Sequence, residues 1–247
     1  MSGAVRQAMV LAAGFGKRMR PITERIPKPL VTVAGHTLLD RALDSLAAAG
    51  VERCVVNTHW LGDMIAAHLR DRIRPAIALS PEATLLDTGG GVRHALDRFG
   101  ADPFFTVNSD TLWLDGYAPM PARMAAAWDP ERMDALLLLH PTVATMAYEN
   151  EAMGDYFLAT DGRARWRGRA GVAPFVFAGV TICDRRLFAD APEGAFSLLR
   201  LWNQAEDRGR LYGLRHDGLL FHVGTPDALA ETEAWFQAPG APRRTME

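Results

Sequence analysis

A short glycine-rich stretch near the start of the chain concentrates positive charge. Residues 11–21 read Leu-Ala-Ala-Gly-Phe-Gly-Lys-Arg-Met-Arg-Pro, and Pro27-Lys28-Pro29 follows six residues later. Glycines allow backbone N–H groups to approach an oxyanion closely, and Lys17, Arg18, Arg20 and Lys28 place cations around it. These two lysines are the only ones among the 27 basic residues of the chain. The stretch therefore indicates a binding site for a triphosphate.

The same stretch differs from two widespread phosphate-binding motifs. A Walker loop has Ser or Thr directly after its lysine, whereas Arg18 follows Lys17 here. A Rossmann fingerprint that began at Gly14 would need its third glycine where Met19 stands. A plain glycine turn with solvated cations would explain residues 14–18 alone, but not the prolines that flank Lys28.

Two further polar stretches follow predicted strands. Ser80-Pro81-Glu82 precedes Asp87-Thr88-Gly89-Gly90-Gly91 at the start of a predicted helix, and Asn108-Ser109-Asp110 ends another strand. Helix N-termini attract anions, and glycines let a base or ribose lie against the backbone. An aspartate at a strand end is suited to Mg²⁺ that bridges substrate phosphates. Taken alone, the glycine stretch is more typical of a helix cap, and an aspartate at a strand end more often caps a turn.

The elements that position these stretches alternate between strands and helices. In chain order, periodicity predicts strand 8–13, helix 37–49, strand 54–57, helix 61–70, strand 77–80, helix 92–99, strand 104–108, helix 122–128, strand 135–140, strands 156–159, 164–167 and 174–183, helix 197–205, strands 211–214 and 219–223, and a last helix to 236. The pattern favours an α/β fold with a mixed, mainly parallel central sheet flanked by helices and a small antiparallel subregion. Such sheets bind ligands at the carboxyl ends of their strands.

Composition narrows the class of partner. The net charge of -2 and the pI near 6.4 give no broad electrostatic surface for nucleic acid or an anionic membrane, which favours small ligands. No apolar segment approaches the roughly 18 residues that span a bilayer, so we expect a cytoplasmic protein, either a monomer or a small homo-oligomer. Cys54 and Cys183 lie in apolar runs without metal-ligand spacing and are expected to be buried thiols.

The chain resembles the nucleotidyltransferases that activate sugar 1-phosphates. The resemblance covers most of residues 7–236 and rests on the signature from Leu11 to Pro21 together with Pro27-Lys28-Pro29. It implies a Rossmann-like nucleotidyltransferase fold in one domain, residues 1–237, with a nucleotide-binding half over about 1–115 and a sugar-binding half over about 116–237. Residues 238–247, with Pro239, Pro242, Arg243 and Arg244, are predicted from their composition to be a disordered tail. The resemblance also implies direct attack of the sugar phosphate on the α-phosphorus of the triphosphate, without a covalent intermediate.

The resemblance assigns roles to individual residues. The implied catalytic residues are Arg18 and Lys28. The implied nucleotide-binding residues are Ala13, Gly14, Gly16, Lys17, Arg18, Lys28, Glu82, Thr88 and Gly89. The implied sugar-binding residues are Asn108, Asp155 and Gly179. The implied metal ligands are Asp110 and His222.

One of these positions departs from the family pattern. His222 stands where a second metal carboxylate is expected, just before Gly224-Thr225. The resemblance implies Mg²⁺ as the cofactor. Because a neutral imidazole suits Mn²⁺ better than Mg²⁺, Mn²⁺ is the alternative.

Within the family, the short chain, Asn57 to Gly62 and Thr88 to Gly91 are most similar to the uridylyltransferases that act on N-acetylmuramic acid 1-phosphate in cell-wall recycling. Arg165 and Arg167 stand near a missing Glu-Lys-Pro segment, and either guanidinium could meet an acidic group on the sugar. The alternatives are a mannose-1-phosphate guanylyltransferase, a choline phosphate cytidylyltransferase, and a nucleotide-sugar-binding regulatory protein without turnover.

Overall fold

The computed structural model describes residues 5–147, 153–169 and 171–239 as a central sheet with helices on both faces. The strands are β1 Gln7–Leu11, β2 Thr32–Val33, β3 His36–Thr37, β4 Arg53–Thr58, β5 Ala76–Pro81, β6 Phe104–Asn108, β7 Thr111–Leu114, β8 Ala135–Pro141, β9 Tyr156–Leu158, β10 Ala164–Trp166, β11 Phe175–Cys183, β12 Leu211–Arg215 and β13 Leu219–His222. The helices are α1 Leu38–Ala48, α2 Gly62–Leu69, α3 Asp87–Ala95, α4 Met120–Ala127, α5 Leu198–Asp207 and α6 Pro226–Gln237. The predicted tail lies, from residue 240 onwards, outside the described residues.

The sheet has nine strands, and its main path runs β10-β9-β11-β6-β1-β4-β5. Strands β6, β1, β4 and β5 are parallel, whereas β11 pairs antiparallel with β6. Strand β8 pairs with β11 and with β12. The predicted mixed, mainly parallel sheet is therefore confirmed, and its antiparallel part begins at β11.

Side chains of β1 show why both faces of the sheet are covered. Ala8 and Val10 belong to a core shared with α1, α2 and α4, whereas Met9 belongs to a core shared with α3 and α5. Successive strand residues point to opposite faces, so an unbroken apolar strand needs a helix layer on each side. The apolar run that predicted β1 follows from this double burial.

A third apolar cluster supports the loops at the carboxyl edge of the sheet. Met19 of the glycine-rich stretch packs with Leu38 at the start of α1, and with Leu112 and Phe221 from the hairpin of β7 and β13. All four side chains are fully or almost fully buried. Burial of a large apolar side chain contributes about 1.5–3 kcal/mol. This cluster thus fixes residues close in sequence to Arg18, Asp110 and His222.

The observed elements differ from the predicted ones at two functional places. Helix α3 begins at Asp87 rather than near residue 92 and includes Gly89, Gly90 and Gly91. Glycine disfavours helix intrinsically, but the backbone carbonyl of Phe196 accepts hydrogen bonds from the N–H groups of Gly89 and Gly90. Strand β7 was not predicted, because its partner β13 lies more than a hundred residues away.

Both cysteines are buried, as expected, and burial raises the pKa of each thiol to about 12. Within the described part of the chain, no helix combines the length and the apolar character that a membrane span requires.

Candidate active site

The carboxyl ends of three parallel strands are aligned at one edge of the sheet. Leu11 at the end of β1 is in register with Asn57 on β4 and with Asn108 on β6. A cavity of about 520 Å³ opens at this edge. Its lining comprises Leu11, Ala12, Ala13, Gly14, Gly16, Lys17, Arg18, Lys28, Pro29, Asn57, Leu85, Asp87, Thr88, Asn108, Ser109, Asp110 and Gly224. The sequence prediction of a site at the strand ends is therefore matched by a cavity there.

The glycine-rich loop is held in a defined shape. Gly16 has φ 61°, and a Cβ at this position would lie 2.8 Å from Cγ2 of Thr23. The Thr23 hydroxyl donates a 2.8 Å hydrogen bond to the Gly16 carbonyl. At the loop tip, the ring of Phe15 lies 5.5 Å from that of His59 and 5.6 Å from that of Trp60. Glycine is required at position 16 because the backbone is left-handed and the space for a side chain is taken.

Three predicted phosphate-binding cations line the cavity: Lys17, Arg18 and Lys28. Arg18 is exposed, and its Nη2 lies 3.5 Å from Nε2 of His222. Lys28 is more enclosed, with 11% of its side chain exposed. Arg20, from the same stretch, does not line the cavity and faces Glu24 at 4.0 Å. Three cations in its lining make the cavity suited to a polyphosphate.

Lys28 and Asp110 form an ion pair inside the cavity. The Lys28 Nζ lies 2.9 Å from Oδ2 of Asp110. Burial alone would raise the pKa of the Asp110 carboxyl, but the Lys28 ammonium and His222 outweigh this effect, and the pKa lies below its ordinary value. Asp110 is therefore ionised at neutral pH and available as a hard oxygen ligand.

The residues expected to bind metal are brought together by strand pairing. His222 is directly opposite Thr111, which follows Asp110. No cluster of three or more His, Cys, Asp or Glu residues arranged for a metal occurs among the described residues. Mg²⁺ is commonly held by one or two carboxylates together with substrate phosphates, and Asp110 in a cavity that Lys17, Arg18 and Lys28 also line fits that mode. Direct ligation by His222, whose imidazole faces Arg18, stays a prediction.

The residues predicted to hold the nucleobase separate into two groups. Thr88 lines the cavity. Gly89 does not, because a Cβ there would lie 2.3 Å from Cε2 of Phe196, and its N–H donates to the Phe196 carbonyl. The N–H groups of Gly89 and Gly90 thus share the Phe196 carbonyl as acceptor, and the expected role of Gly89 in base binding stays a prediction.

Glu82 also lies behind the cavity wall rather than on it. Its side chain is buried, Oε1 accepts a 2.7 Å hydrogen bond from Nδ2 of Asn57, and Oε2 accepts one of 2.9 Å from Leu86 N. Both carboxylate oxygens are therefore engaged by the protein. Glu82 thus stands in a supporting position here, and its expected contact with the nucleotide stays a prediction.

The three predicted sugar-binding residues occupy different places. Asn108 lines the cavity. Gly179 lies on β11 beside Asn108 and has φ 75°. A Cβ at this position would lie 2.2 Å from Oγ1 of Thr111. Gly179 is not among the residues that line the cavity. The Asp155 carboxylate accepts a hydrogen bond from Phe177 N and lies outside the cavity lining.

The candidate sugar-binding arginines also lie outside the cavity lining. The Arg165 guanidinium stacks 4.6 Å from the centre of the Phe157 ring, and Arg167 contacts Sδ of Met153.

The roles implied for individual residues leave out several lining residues: Leu85, Asp87, Ser109, Gly224 and, most importantly, Asn57. Asn57 carried a usable signal, because it is a polar residue near the end of the strand after the glycine loop. Strand register places it directly beside Leu11.

Comparison with known proteins shows the family to which the chain belongs. Residues 8–170 match the model of the MobA-like NTP transferase domain family. The chain is 46% identical over 239 residues to an N-acetylmuramate alpha-1-phosphate uridylyltransferase of Caulobacter vibrioides, which covers 95% of this chain and 98% of the relative. It is 37% identical to the protein of the same name from Neisseria meningitidis serogroup B, over 92% of this chain and 97% of the relative.

More distant similarities concern parts of the chain or the fold alone. A mannose-1-phosphate guanyltransferase of Aspergillus fumigatus is 36% identical, but over only 43% of this chain and 30% of the relative. A UDP-glucose pyrophosphorylase from Acinetobacter baumannii superposes with a TM-score of 0.76 at 19% identity, covering 96% of this chain and 95% of that chain. On the family match and the full-length relatives, the chain belongs to the sugar-1-phosphate nucleotidyltransferase family, in the group built on the MobA-like NTP transferase domain.

Proposed function

We propose that this protein transfers a uridylyl group from UTP to N-acetylmuramic acid 1-phosphate, giving UDP-N-acetylmuramic acid and pyrophosphate. The observation that carries the proposal is the similarity to two uridylyltransferases of that name along nearly the whole chain. The cavity supports it, because cations from the glycine-rich loop and a paired lysine and aspartate lie around one space at the strand ends.

The reaction we propose is an in-line displacement at the α-phosphorus of UTP. A phosphate oxygen of the sugar 1-phosphate forms the new P–O bond, and the bond from the α-phosphorus to the bridging oxygen breaks as pyrophosphate leaves. Arg18 and Lys28 lie on the cavity wall, where their charges would stabilise the additional negative charge of the transition state and of the leaving group. Gly14 and Gly16 would let the triphosphate approach the loop backbone.

A divalent ion completes the proposed site. Asp110 would hold Mg²⁺ or Mn²⁺ through its carboxylate, with His222 next to it, and the bound ion would neutralise charge on the substrate phosphates. Lys28 would then exchange its contact with Asp110 for one with phosphate.

The acidic arm of the sugar calls for a cation on the sugar side of the site. Arg165 on β10 and Arg167, which directly follows that strand, are our candidates for binding its lactyl carboxylate. We further propose that the enzyme works in the cytoplasm, in the recycling of peptidoglycan sugars for the cell wall.

The test is a pyrophosphate-release screen of the purified protein. Each of the four nucleoside triphosphates is paired with the 1-phosphates of N-acetylmuramic acid, N-acetylglucosamine and mannose, and with phosphocholine, in Mg²⁺ and in Mn²⁺. We expect the highest kcat/KM for UTP with N-acetylmuramic acid 1-phosphate. We also expect Arg165→Met or Arg167→Met to lower kcat/KM for that sugar while leaving N-acetylglucosamine 1-phosphate unaffected.

Other outcomes of the screen have definite meanings. Equal kcat/KM for the two N-acetylated sugars would refute the muramic acid assignment. Turnover confined to GTP and mannose 1-phosphate would favour the guanylyltransferase alternative. Nucleotide-sugar binding without turnover in any pair would favour the regulatory protein, an alternative suggested by the replacement of a carboxylate by His222.

A further inference from the structure

A buried chain of hydrogen bonds joins two walls of the nucleotide cavity. The backbone N–H of Ala12, at the start of the glycine-rich loop, donates to Oδ1 of Asn57 at 2.7 Å. The Asn57 Nδ2 donates to Oε1 of Glu82 at 2.7 Å, and Leu86 N donates to Oε2 of Glu82 at 2.9 Å. Leu86 immediately precedes α3 and stands between the lining residues Leu85 and Asp87. The Asn57 amide and the Glu82 carboxylate thus connect the glycine-rich loop to the residues just before α3.

The chain of hydrogen bonds is enclosed and firmly held. Asn57 is 3% exposed and Glu82 5% exposed. The Glu82 backbone is fixed just after β5, because its N–H donates to the Thr58 carbonyl at 2.8 Å and its carbonyl lies 2.9 Å from Nδ1 of His59. Gly91 makes room for both side chains, since a Cβ there would lie 2.7 Å from Oε1 of Glu82 and 2.9 Å from Nδ2 of Asn57.

The donors and acceptors in this chain of hydrogen bonds allow only one orientation of the Asn57 side-chain amide. A carboxylate accepts only, so Asn57 must turn Nδ2 towards Glu82 and Oδ1 towards Ala12. Hydrogen bonds to a charged group are shorter and stronger than neutral ones, and breaking one inside a protein leaves a buried donor or acceptor unsatisfied. The spacing between Ala12 and Leu86 therefore depends on these two side chains.

We propose that Asn57 is a positioning residue for nucleotide binding, which acts with Glu82 to set the separation of the glycine-rich loop from the loop before α3. The inference rests on the proposed nucleotide site but not on the identity of the base or the sugar. It also replaces direct reading of the base by Glu82 with an indirect role.

The experiment exchanges the two functional groups. Asn57→Asp places two carboxylates against each other, and Glu82→Gln leaves one amide oxygen to serve two donors. In the variant that carries both substitutions, the new carboxylate at position 57 accepts from Ala12 N and from the new amide at position 82. The oxygen of that amide accepts from Leu86 N. The double variant thus restores every bond and keeps one negative charge. Glu52→Gln, which alters an exposed carboxylate just before β4, is the matched control.

The measurements are the melting temperature of each variant and its Kd for each of the four nucleoside triphosphates, by calorimetry with Mg²⁺ and without sugar phosphate. The variants are compared on the triphosphate that the wild type binds most tightly. We expect Asn57→Asp to raise Kd about tenfold or more, Glu82→Gln to raise it several-fold, and the double variant to return to within about threefold of wild type, as expected for directly coupled residues. Glu52→Gln should bind like wild type. If Asn57→Asp fails to fold, the recovery from Glu82→Gln to the double variant carries the test.

Three results would overturn the proposal. The double variant could bind no better than the weaker single variant, which would show that the two groups do not act through their shared hydrogen bond. All variants could bind like wild type while melting at lower temperature, which would make the pair purely structural. Glu82→Gln could change the ranking of the four triphosphates, and the change could persist in the double variant, which would mean that Glu82 reads the base directly. Because no turnover is needed, a wrong sugar or base assignment leaves this test intact.

Discussion

The Lys28 ammonium lies 2.9 Å from the Asp110 carboxylate. Lys28, which is expected to bind phosphate, therefore forms an ion pair with Asp110, which is expected to bind metal, in the free protein. Both side chains are partly buried, 11% and 26% exposed, so solvent screens the pair only in part. Bound metal and Lys28 would compete for the same carboxylate. If Asp110 holds the metal as proposed, metal binding would depend on nucleotide binding, because a bound phosphate would draw Lys28 away from Asp110.

Removal of either of the two cations proposed to be catalytic should abolish most turnover while the protein stays folded. Arg18→Met and Lys28→Met each delete a charge on the cavity wall, and we expect kcat to fall about 100-fold or more. Single-turnover rates and circular dichroism provide the measurement. Arg25→Met, at an exposed position outside the cavity lining, is the control and should retain activity. A near-normal rate for Lys28→Met would remove that residue from the mechanism.

The free protein should bind Mn²⁺ weakly, and Lys28→Met should bind it more tightly. Without the ammonium, the Asp110 charge is no longer neutralised, and we expect the Kd for Mn²⁺ alone to fall roughly tenfold. Titration followed by electron paramagnetic resonance, without nucleotide, measures the free ion directly. Lys17→Met also removes a lining lysine, but one whose ammonium faces the Phe15 ring, and should leave Mn²⁺ affinity unchanged. Equal affinities for wild type and Lys28→Met would contradict the competition.

Restoring a carboxylate at position 222 should shift the metal preference. His222→Asp adds a hard oxygen ligand opposite Thr111, next to Asp110, so kcat/KM in Mg²⁺ should rise relative to that in Mn²⁺. The ratio of the two values, compared between wild type and variant, is the readout. An unchanged ratio would mean that residue 222 does not bind the metal directly and has a supporting or structural role.

Gly89→Ala should destabilise the protein although alanine is the better helix former. The added methyl would meet the Phe196 ring at 2.3 Å and the Phe196 carbonyl at 2.9 Å, and overpacking of this kind costs about 1–3 kcal/mol. We expect the melting temperature to fall by several degrees. Gly171→Ala, where a methyl group meets nothing within 4 Å, is the control. A gain in stability for Gly89→Ala would mean that α3 and the Phe196 segment separate readily.

Stability should decline as the pH falls below the ordinary histidine pKa. Burial lowers the pKa of both His140 and His216, whose rings lie 5.8 Å apart. The unfolded chain, with histidine pKa values near ~6.5, then binds more protons than the folded protein. Stability is therefore full above that pH and is lost as the pH drops towards the lower folded pKa. Urea unfolding gives the free energy of unfolding at pH 7.5 and at pH 5.5. The difference between these two values should be smaller for the variant that carries both His140→Gln and His216→Gln than for wild type, and equal differences would exclude this contribution.

Much of the site could be predicted from the sequence, because local chemistry determines it. Glycines followed by Lys17 and Arg18 after an apolar strand, and Asp110 at the end of another, are short-range patterns whose position at strand ends follows from the alternation of elements. The cavity contains these residues together with Lys28, Thr88 and Asn108.

Tertiary structure decided the roles of residues whose partners are distant in sequence. Glu82 and Gly89 carry the residue types expected of a nucleotide site, yet Glu82 is engaged by Asn57 and Leu86, and Gly89 by Phe196. Strand β7 forms only when β13 pairs with it, which brings His222 opposite Thr111. Periodicity reports which face of an element is apolar, but hydrogen bonds between residues 25 to 110 positions apart depend on how the sheet brings loops together. The direction of a buried polar side chain is therefore decided by its neighbours in space.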